Sequence, residues 1–288
     1  MAALDTIVFE TGSVRVGAFR CPAHDNRFRN TGPTQGHIVV FPRTAVWIRH
    51  AGSRPFVADP GIVTIYNKGQ EYTRAPLAAD GDRSDWFGVS PEVAFALAHE
   101  TDPRTAQNPD RPYRVEWSVS DASLYLRQRT LFRRLESHEM APLEAEQAVL
   151  ELVAEVIRRA HGPSAPRPAG RRARDAHREL AQRARAALAG NPAAPTDVTT
   201  LARTLQVSPF HLCRVFRAVT GMTLHAYRLD LRLRLALERL ADRVTDLSRL
   251  AFDLGFSSHS HFTHTFRTRL GFPPSAFRPS RLETTASF

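Results

Sequence analysis

Short apolar segments alternate with polar turn residues between residues 36 and 89. The segments HIVVFP, AVWIRH and DWFGV are rich in β-branched and aromatic residues, and Gly, Pro and Asp separate such segments, as at residues 58–61. Runs of this length and composition are typical of short β-strands joined by tight turns. The pattern therefore predicts a sandwich or a barrel in this part of the chain.

From residue 90 onward the apolar positions change to helical spacing. SPEVAFALAHE (90–100) opens with a Ser-Pro start, and residues 121–139 and 142–162 form two longer amphipathic segments. In the last segment an apolar stripe has four-three-four spacing, with Ala145, Val149, Leu152 and Val156 as its members. This stripe fits either packing on the strands of its own domain or self-association, and the sequence leaves both open.

Residues 162–172, GPSAPRPAGRR, have the composition of an interdomain linker. We therefore divide the chain into an N-terminal domain (1–161), a linker (162–174) and a C-terminal domain (175–288). A length of 288 residues is sufficient for two domains with separate cores. The predicted fold class is α+β, with strands and flanking helices in the first domain and only helices in the second.

The C-terminal domain contains an internal repeat. Residues 201–228 match residues 250–278 at an offset of 49, which becomes 50 after one extra residue in the turn. Matched positions include Leu201 with Leu250, Val207 with Phe256, Leu212 with Phe262, Phe216-Arg217 with Phe266-Arg267, and Gly221 with Gly271. Each copy predicts a short helix, a turn, a second helix capped by Ser208 or by Ser257 or Ser258, and a glycine stop. This is the helix-turn-helix plan.

A Leu-rich run with several arginines connects the two copies. Residues 224–242 contain no Gly or Pro and predict one helix of roughly 25 Å. Such a helix would hold the two motifs at a fixed separation. If that separation approaches the roughly 34 Å of one duplex turn, recognition helices near 209–219 and 259–270 could enter successive major grooves.

Three histidines, His259, His261 and His264, lie within six positions and raise the question of a metal site. At about 100° per residue, His261 and His264 share an outward face, whereas His259 is predicted to turn back toward the core. The three side chains therefore cannot converge on one ion. A site made by His261, His264 and a ligand from elsewhere in the chain is the disfavoured alternative, and we predict no metal or cofactor site.

The excess positive charge lies in the C-terminal part. Residues 161–288 carry 20 Arg and 9 Asp+Glu, whereas residues 1–160 carry 19 Lys+Arg and 20 Asp+Glu. A basic domain beside a neutral one indicates a polyanion partner, either nucleic acid or an anionic membrane. A membrane is disfavoured because the chain has a single lysine, Lys68, and its arginines are interleaved with apolar positions.

Cysteine usage and the N-terminus bear on the compartment. The two cysteines, Cys21 and Cys213, are far apart and form no C-x-x-C pair, which argues against a disulfide framework or a thiolate zinc site. The N-terminus lacks a basic start followed by an apolar stretch, and no run reaches the roughly 18 apolar residues of a membrane helix. We therefore expect a cytoplasmic protein with no membrane partner.

The region from about residue 178 to residue 281 resembles the DNA-binding domain of the AraC/XylS transcriptional regulators. The resemblance rests on LARTLQVSPFHLCRVFRAVTG, on RLRLALERL from Arg232, and on VTDLSRLAFDLGFSSHSHFTHTFRTRLGFPPSAFR. It implies a seven-helix module with two helix-turn-helix units that binds promoter DNA and presents a surface to RNA polymerase. The DNA-contacting positions it implies are Phe210, Cys213, Arg214 and Arg217 in the first unit and His259, Ser260, Thr263, His264 and Arg267 in the second. Many family members have Arg where His264 stands, so the second unit is expected to discriminate bases less strongly.

The N-terminal domain is similar, mainly by its position, to the cupin-like domain that precedes this module in many family members. The resemblance implies a cupin-like β-barrel, with a small-molecule effector and a homodimer as candidate partners. Five aromatic residues either line an effector pocket or form plain core: Trp47, Phe56, Tyr66, Tyr72 and Trp86.

The alternative function is a cupin-type metalloenzyme fused to a DNA-binding domain. A metal cupin needs closely spaced histidines with a carboxylate, whereas His24, His37 and His50 stand singly. We therefore expect a sequence-specific transcriptional regulator that is not an enzyme.

Overall fold

The computed structural model describes residues 4–28, 32–77, 80–161, 171–241 and 246–277, with the backbone alone for 171–174. The chain divides into two units, Met1–Ala165 and Pro166–Phe288, and each is described by itself. Most of the predicted linker, 162–170, lies outside the described residues. Its last four positions belong to a helix that begins at Arg171.

Two antiparallel sheets form the strand-rich part of the first unit. The strands are β1 Asp5–Glu10, β2 Val14–Cys21, β3 His37–Pro42, β4 Val46–His50, β5 Phe56–Ala58, β6 Ile62–Tyr66, β7 Tyr72–Pro76, β8 Asp82–Val89 and β9 Trp117–Val119. One sheet has the order β1-β2-β8-β3-β6-β9 and the other the order β5-β4-β7. The longest pairing of the six-stranded sheet joins β2 to β8, from Val14 opposite Val89 to Cys21 opposite Asp82. Within the described ranges no strand pair joins the two sheets, so the strands are seen as two sheets and not as one closed ring.

The described residues of the first unit also form three α-helices: α1 Pro91–Thr101 between β8 and β9, and α2 Ala122–Glu136 and α3 Pro142–His161 after β9. The apolar stripe of α3 is fully buried, and Val149 and Leu152 share one core cluster with Val16 and Phe87 of the six-stranded sheet. Burial of this stripe removes its apolar surface from water. Of the two alternatives for α3, packing on its own domain is therefore the one observed.

Helices are the only regular secondary structure among the described residues of the second unit. Its helices are α4 Arg171–Gly190, α5 Val198–Thr204, α6 Pro209–Thr220, α7 Leu224–Ala241, α8 Leu247–Asp253 and α9 His259–Leu270, followed by a 3-10 turn at Pro274–Ala276. The prediction of a mixed chain whose C-terminal part is all-helical is confirmed. None of the helices in the described ranges is both long enough and apolar enough to cross a bilayer.

Two apolar clusters support the second unit. Leu188 of α4, Leu212 and Phe216 of α6 and Tyr227 of α7 belong to the first cluster. The second is a series of aromatic rings whose successive centroids lie 5.1 to 6.3 Å apart, formed by Phe256, Phe262, Phe266, Phe272 and Phe277. Aromatic pairs at these separations contribute stabilisation beyond burial alone. Each copy of the repeat thus has its own apolar support.

Candidate nucleic-acid interface

Both copies of the repeat begin their helices with the same side-chain caps. Asp197 accepts a first-turn N–H of α5 at 2.8 Å, and Asp246 does the same for α8 at 2.8 Å. Ser208 accepts a first-turn N–H of α6 at 3.2 Å, and Ser258 accepts one of α9 at 3.1 Å. These oxygens satisfy N–H groups that have no partner within the helix. The predicted cap at Ser208 is confirmed, and Ser258 is the cap of the second copy.

The turns and the helix ends also match. The Val207 N–H donates to a carbonyl of α5 at 3.0 Å, and the Phe256 N–H donates to a carbonyl of α8 at 3.0 Å. Both second helices end at a glycine in the left-handed region, Gly221 at φ 75° and Gly271 at φ 86°. Glycine adopts this conformation without steric cost. The two copies are therefore the same supersecondary unit, down to individual hydrogen bonds.

The outer face of α6 carries all four of its predicted contact residues. The side chains of Phe210, Cys213, Arg214 and Arg217 are exposed, and Phe210 keeps 78% of its surface accessible. The opposite face of α6 is apolar, and its Leu212, Val215 and Phe216 are buried. Arg214 lies 3.4 Å from a ring nitrogen of His211, which leaves most of its donors available to a ligand. This face combines cationic, apolar and small side chains along one exposed edge.

The outer face of α9 is more polar. His259, Ser260, His264 and Arg267 are exposed and Thr263 is half-buried, while Phe262 and Phe266 have no solvent exposure. The expectation that His259 turns toward the core is wrong. His259 is the first residue of α9, and its side chain is exposed at the start of the helix. Its Nε2 lies 3.4 Å from the Thr263 hydroxyl.

His261 has a local structural role. Its Nδ1 lies 3.0 Å from the Ser257 hydroxyl, and its ring meets Phe256 edge-on at a centroid distance of 5.5 Å. These contacts hold the ring against the turn before α9. Across the part of the chain that the structure describes, no group of three or more His, Cys, Asp and Glu side chains is placed to hold a metal ion.

The sequence reasoning missed Arg269. Its side chain is exposed in the last turn of α9, which therefore carries two arginines, whereas Arg217 alone occupies the last turn of α6. The position equivalent to Arg269 in the first copy is Val219, so the comparison of the copies did not point to it. The signal that could have found it is an arginine just before a glycine stop, where the helix ends in solvent.

The first unit has a polar cavity of about 170 Å³. It is lined by His50, Ala51, Ser53, Asn67, Gln70, Arg111, Tyr113, Arg114, Val115 and Glu116. None of the five aromatic residues proposed as a pocket lining belongs to this set, and Phe56 and Tyr66 are buried. Burial lowers the pKa of His50 to about 4, and its Nδ1 lies 3.8 Å from the Glu116 carboxylate. The cavity wall therefore combines a buried, neutral imidazole with charged groups of both signs, from Arg111, Arg114 and Glu116.

Comparisons with known proteins concern mainly the C-terminal part. A helix-turn-helix domain model matches residues 201–280. The transcriptional regulator GlxA of Rhizobium meliloti is 38% identical over 85 residues, which are 29% of this chain and 26% of GlxA. The chain thus matches about a quarter of that relative's length. A crystal structure of unsaturated fatty acid-bound ToxT from Vibrio cholerae aligns with 93% of this chain and 95% of its own, at 10% identity and a TM-score of 0.36.

The regulatory protein SoxS of Escherichia coli is matched over most of its length. It is 33% identical over 84 residues, which are 29% of this chain and 78% of SoxS. The match agrees with the paired helix-turn-helix units and with the residues that the domain model covers. The chain belongs to the AraC/XylS family of transcriptional regulators.

Proposed function

We propose that this protein is a sequence-specific regulator that binds promoter DNA in the cytoplasm through α6 and α9, which enter successive major grooves. The observation that carries the proposal is the pair of matching units, each of which exposes one face of its second helix. A major groove admits an α-helix, and the exposed residues near its N-terminus contact base edges. The net positive charge of the C-terminal part supplies the attraction to phosphate.

In the first unit, Phe210, Cys213 and Arg214 contact bases. The Arg214 guanidinium can donate two hydrogen bonds to guanine O6 and N7, and the Phe210 ring can contact a thymine methyl group. Cys213 offers a small exposed surface between them. Arg217, one turn further along α6, contacts a phosphate and fixes the orientation of the helix.

In the second unit, His259, Ser260, Thr263 and His264 contact bases, and Arg267 contacts a phosphate. A hydroxyl or a neutral imidazole forms single hydrogen bonds, whereas arginine can form two parallel ones. The second half-site is therefore specified less strongly than the first. Its affinity depends more on phosphate contacts, to which Arg269 adds a further positive charge.

The first unit regulates this activity. We assign to it a cupin-like sensing role, in which a small polar effector occupies the cavity beside His50 and Tyr113, and a second role in homodimerisation. The bound protein then presents a surface to RNA polymerase. Effector binding would change DNA affinity only to the extent that it favours one state of the protein over another.

The proposal is tested by selecting duplexes bound by the full chain from a random pool, with and without candidate metabolites. The expected product is a bipartite site whose half-sites lie about 10 base pairs apart. Affinity should fall steeply with salt, by a log-log slope of about −0.9 for each phosphate neutralised. The proposal would be contradicted if no sequence were enriched and the recovered duplexes bound the protein no more tightly than random DNA does.

A further inference from the structure

One arginine of α7 joins the two helix-turn-helix units. Arg232 is buried, and its Nε donates to the Pro192 carbonyl at 2.8 Å in the loop between α4 and α5. One terminal nitrogen donates to the Gly255 carbonyl at 2.7 Å in the turn between α8 and α9, and the other to the Ala193 carbonyl at 3.3 Å. A single guanidinium thus bonds to the entry of the first unit and to the turn of the second.

The chemistry of this contact requires arginine. Its planar group has five donors in a fixed fork, and three carbonyl oxygens on different sides of it are satisfied at once. The Phe256 ring adds a cation–π contact at 5.9 Å. Burial, and then the charge of Arg228, lower the pKa of Arg232, so the carbonyls compensate a group that has lost water. Lysine has a compact charge that cannot span the same acceptors.

The backbone packs tightly around this contact. Gly255 has φ 77°, and a Cβ there would lie 2.5 Å from the Ala193 carbonyl oxygen and 2.7 Å from a terminal nitrogen of Arg232. Only a residue without a side chain allows the second turn to approach the loop so closely. The loop, the turn and the guanidinium therefore form one contact, which we call the Arg232 brace.

Arg228, one turn earlier on α7, provides a built-in comparison. It donates to the Thr196 carbonyl at 2.6 Å and to the Ala194 carbonyl at 3.4 Å, both in the loop before α5. Neither of these contacts reaches the second unit. Arg228 and Arg232 thus share helix, residue type and acceptor loop, and differ in whether they also hold the α8–α9 turn.

We propose that Arg232 is a positioning residue that fixes the register between the two recognition helices and so sets the half-site spacing that the protein accepts. This inference rests on the proposed function, because it requires that both units bind one duplex. Each base pair added between half-sites moves the second by about 3.4 Å and rotates it by about 34°. A rigid pair of helices cannot follow such a change without losing contacts, whereas a loosened pair can.

The test measures the affinity of the full chain for its selected bipartite duplex and for a duplex that contains the first half-site alone. It also measures the affinity for versions of the bipartite duplex with one base pair inserted or removed between the half-sites. Wild-type protein should lose about tenfold or more in affinity when the spacing changes. Arg232→Lys should lose about tenfold on the natural spacing and show a spacing penalty of about threefold or less. Its affinity for the single half-site should equal that of wild type, which also demonstrates that the variant is folded. Arg228→Lys is the matched control and should retain the full spacing penalty.

Three outcomes would overturn the inference. The first is an Arg232→Lys variant that keeps the wild-type spacing penalty, and the second is an Arg228→Lys variant that loses it equally. The third is loss of single half-site binding in both Arg232→Lys and Arg232→Gln, which would make Arg232 a residue of fold alone. Failure of the proposed function is distinct, because wild-type protein itself would then show no preference for a bipartite duplex.

Discussion

The two helix-turn-helix units have the same caps, turns and glycine stops, yet they differ at the centre of the turn. The first unit has Gln206 there, exposed and in the left-handed region at φ 59°, and the second has Gly255 at φ 77°. The Gln206 side chain is exposed, whereas the Ala193 carbonyl and the Arg232 guanidinium fill the space beside Gly255. The left-handed conformation is therefore compatible with a side chain in the first turn, whereas close packing requires glycine in the second.

The units also differ on the face that would contact DNA. Arg214 of α6 corresponds to His264 of α9, and Phe210 corresponds to Ser260, while Arg217 and Arg267 are the same residue type in both. All these positions are exposed. The framework and the arginine that we propose contacts phosphate are therefore common to both units, whereas the positions that we propose contact bases differ. We expect the first unit to contribute most of the sequence preference.

The largest effect is expected from alanine at the two equivalent turn positions. Gly255→Ala places a Cβ against a backbone carbonyl in a left-handed conformation, and should cost about 3 kcal/mol or more of unfolding free energy. Gln206→Ala keeps a Cβ at an exposed position and should change the free energy of unfolding by less than about 0.5 kcal/mol. Denaturant unfolding of the full chain, with amide exchange followed in α8 and α9, measures both. Equal effects at the two positions would remove the packing distinction between the turns.

The next largest effect is expected at Arg214 and His264, which we propose contact bases. Arg214→Ala should cost about 1 to 3 kcal/mol on the selected duplex and little on random DNA, because a bidentate base contact is lost. His264→Ala should cost less than about 1 kcal/mol on the same duplex, because the two nitrogens of an imidazole point in different directions and only one of them can bond to a base edge. Fluorescence anisotropy at fixed salt measures both affinities. Equal losses on selected and random DNA would make Arg214 a phosphate contact.

A smaller effect is expected at Phe210. If its ring contacts a thymine methyl group, Phe210→Ala should cost about 1 kcal/mol on the selected duplex. Replacing the contacted thymine by deoxyuridine should cost wild type a similar amount and cost the variant nothing further. Ser260→Ala at the equivalent position of α9 is the control and should show no such coupling. Additive losses from Phe210→Ala and deoxyuridine would refute the contact.

The smallest difference is expected between Arg217 and Arg267, which occupy equivalent positions. Alanine at either position should reduce the log-log salt slope by about 0.9, on selected and random duplexes alike. Affinity measured from low to physiological salt gives both slopes. If the salt slope changed for one variant and not for the other, Arg217 and Arg267 would not make equivalent phosphate contacts.

The sequence was sufficient to predict the helical half because its signals are local. Ser208, Gly221 and Gly271 cap their helices through contacts within a few residues, and apolar spacing places Leu212 and Phe262 in the core. Because the motif occurs twice, each of these local signals appears in two places in the chain. The same spacing accounts for the exposure of seven of the nine predicted contact positions. Thr263 is half-buried, and His259 is exposed although the spacing turned it toward the core.

The remaining features depend on contacts between residues distant in sequence. The Arg232 brace joins residues separated by 23 to 40 positions, and no pattern near Arg232 indicates its acceptors. The cavity beside His50 is lined by residues from three separate stretches, 50–53, 67–70 and 111–116, so the aromatic strand residues gave no guide to it. For α3, the stripe alone could not distinguish a sheet from a second copy as its partner. Tertiary packing decides such cases.

Hydroxyl-radical footprinting of the full chain on its selected duplex tests most directly whether both units lie on one side of B-form DNA. We predict two protected regions about 10 base pairs apart on the same face of the duplex, with Arg214→Ala weakening one region and Arg267→Ala weakening the other. A single protected region, or two regions on opposite faces, would contradict the account.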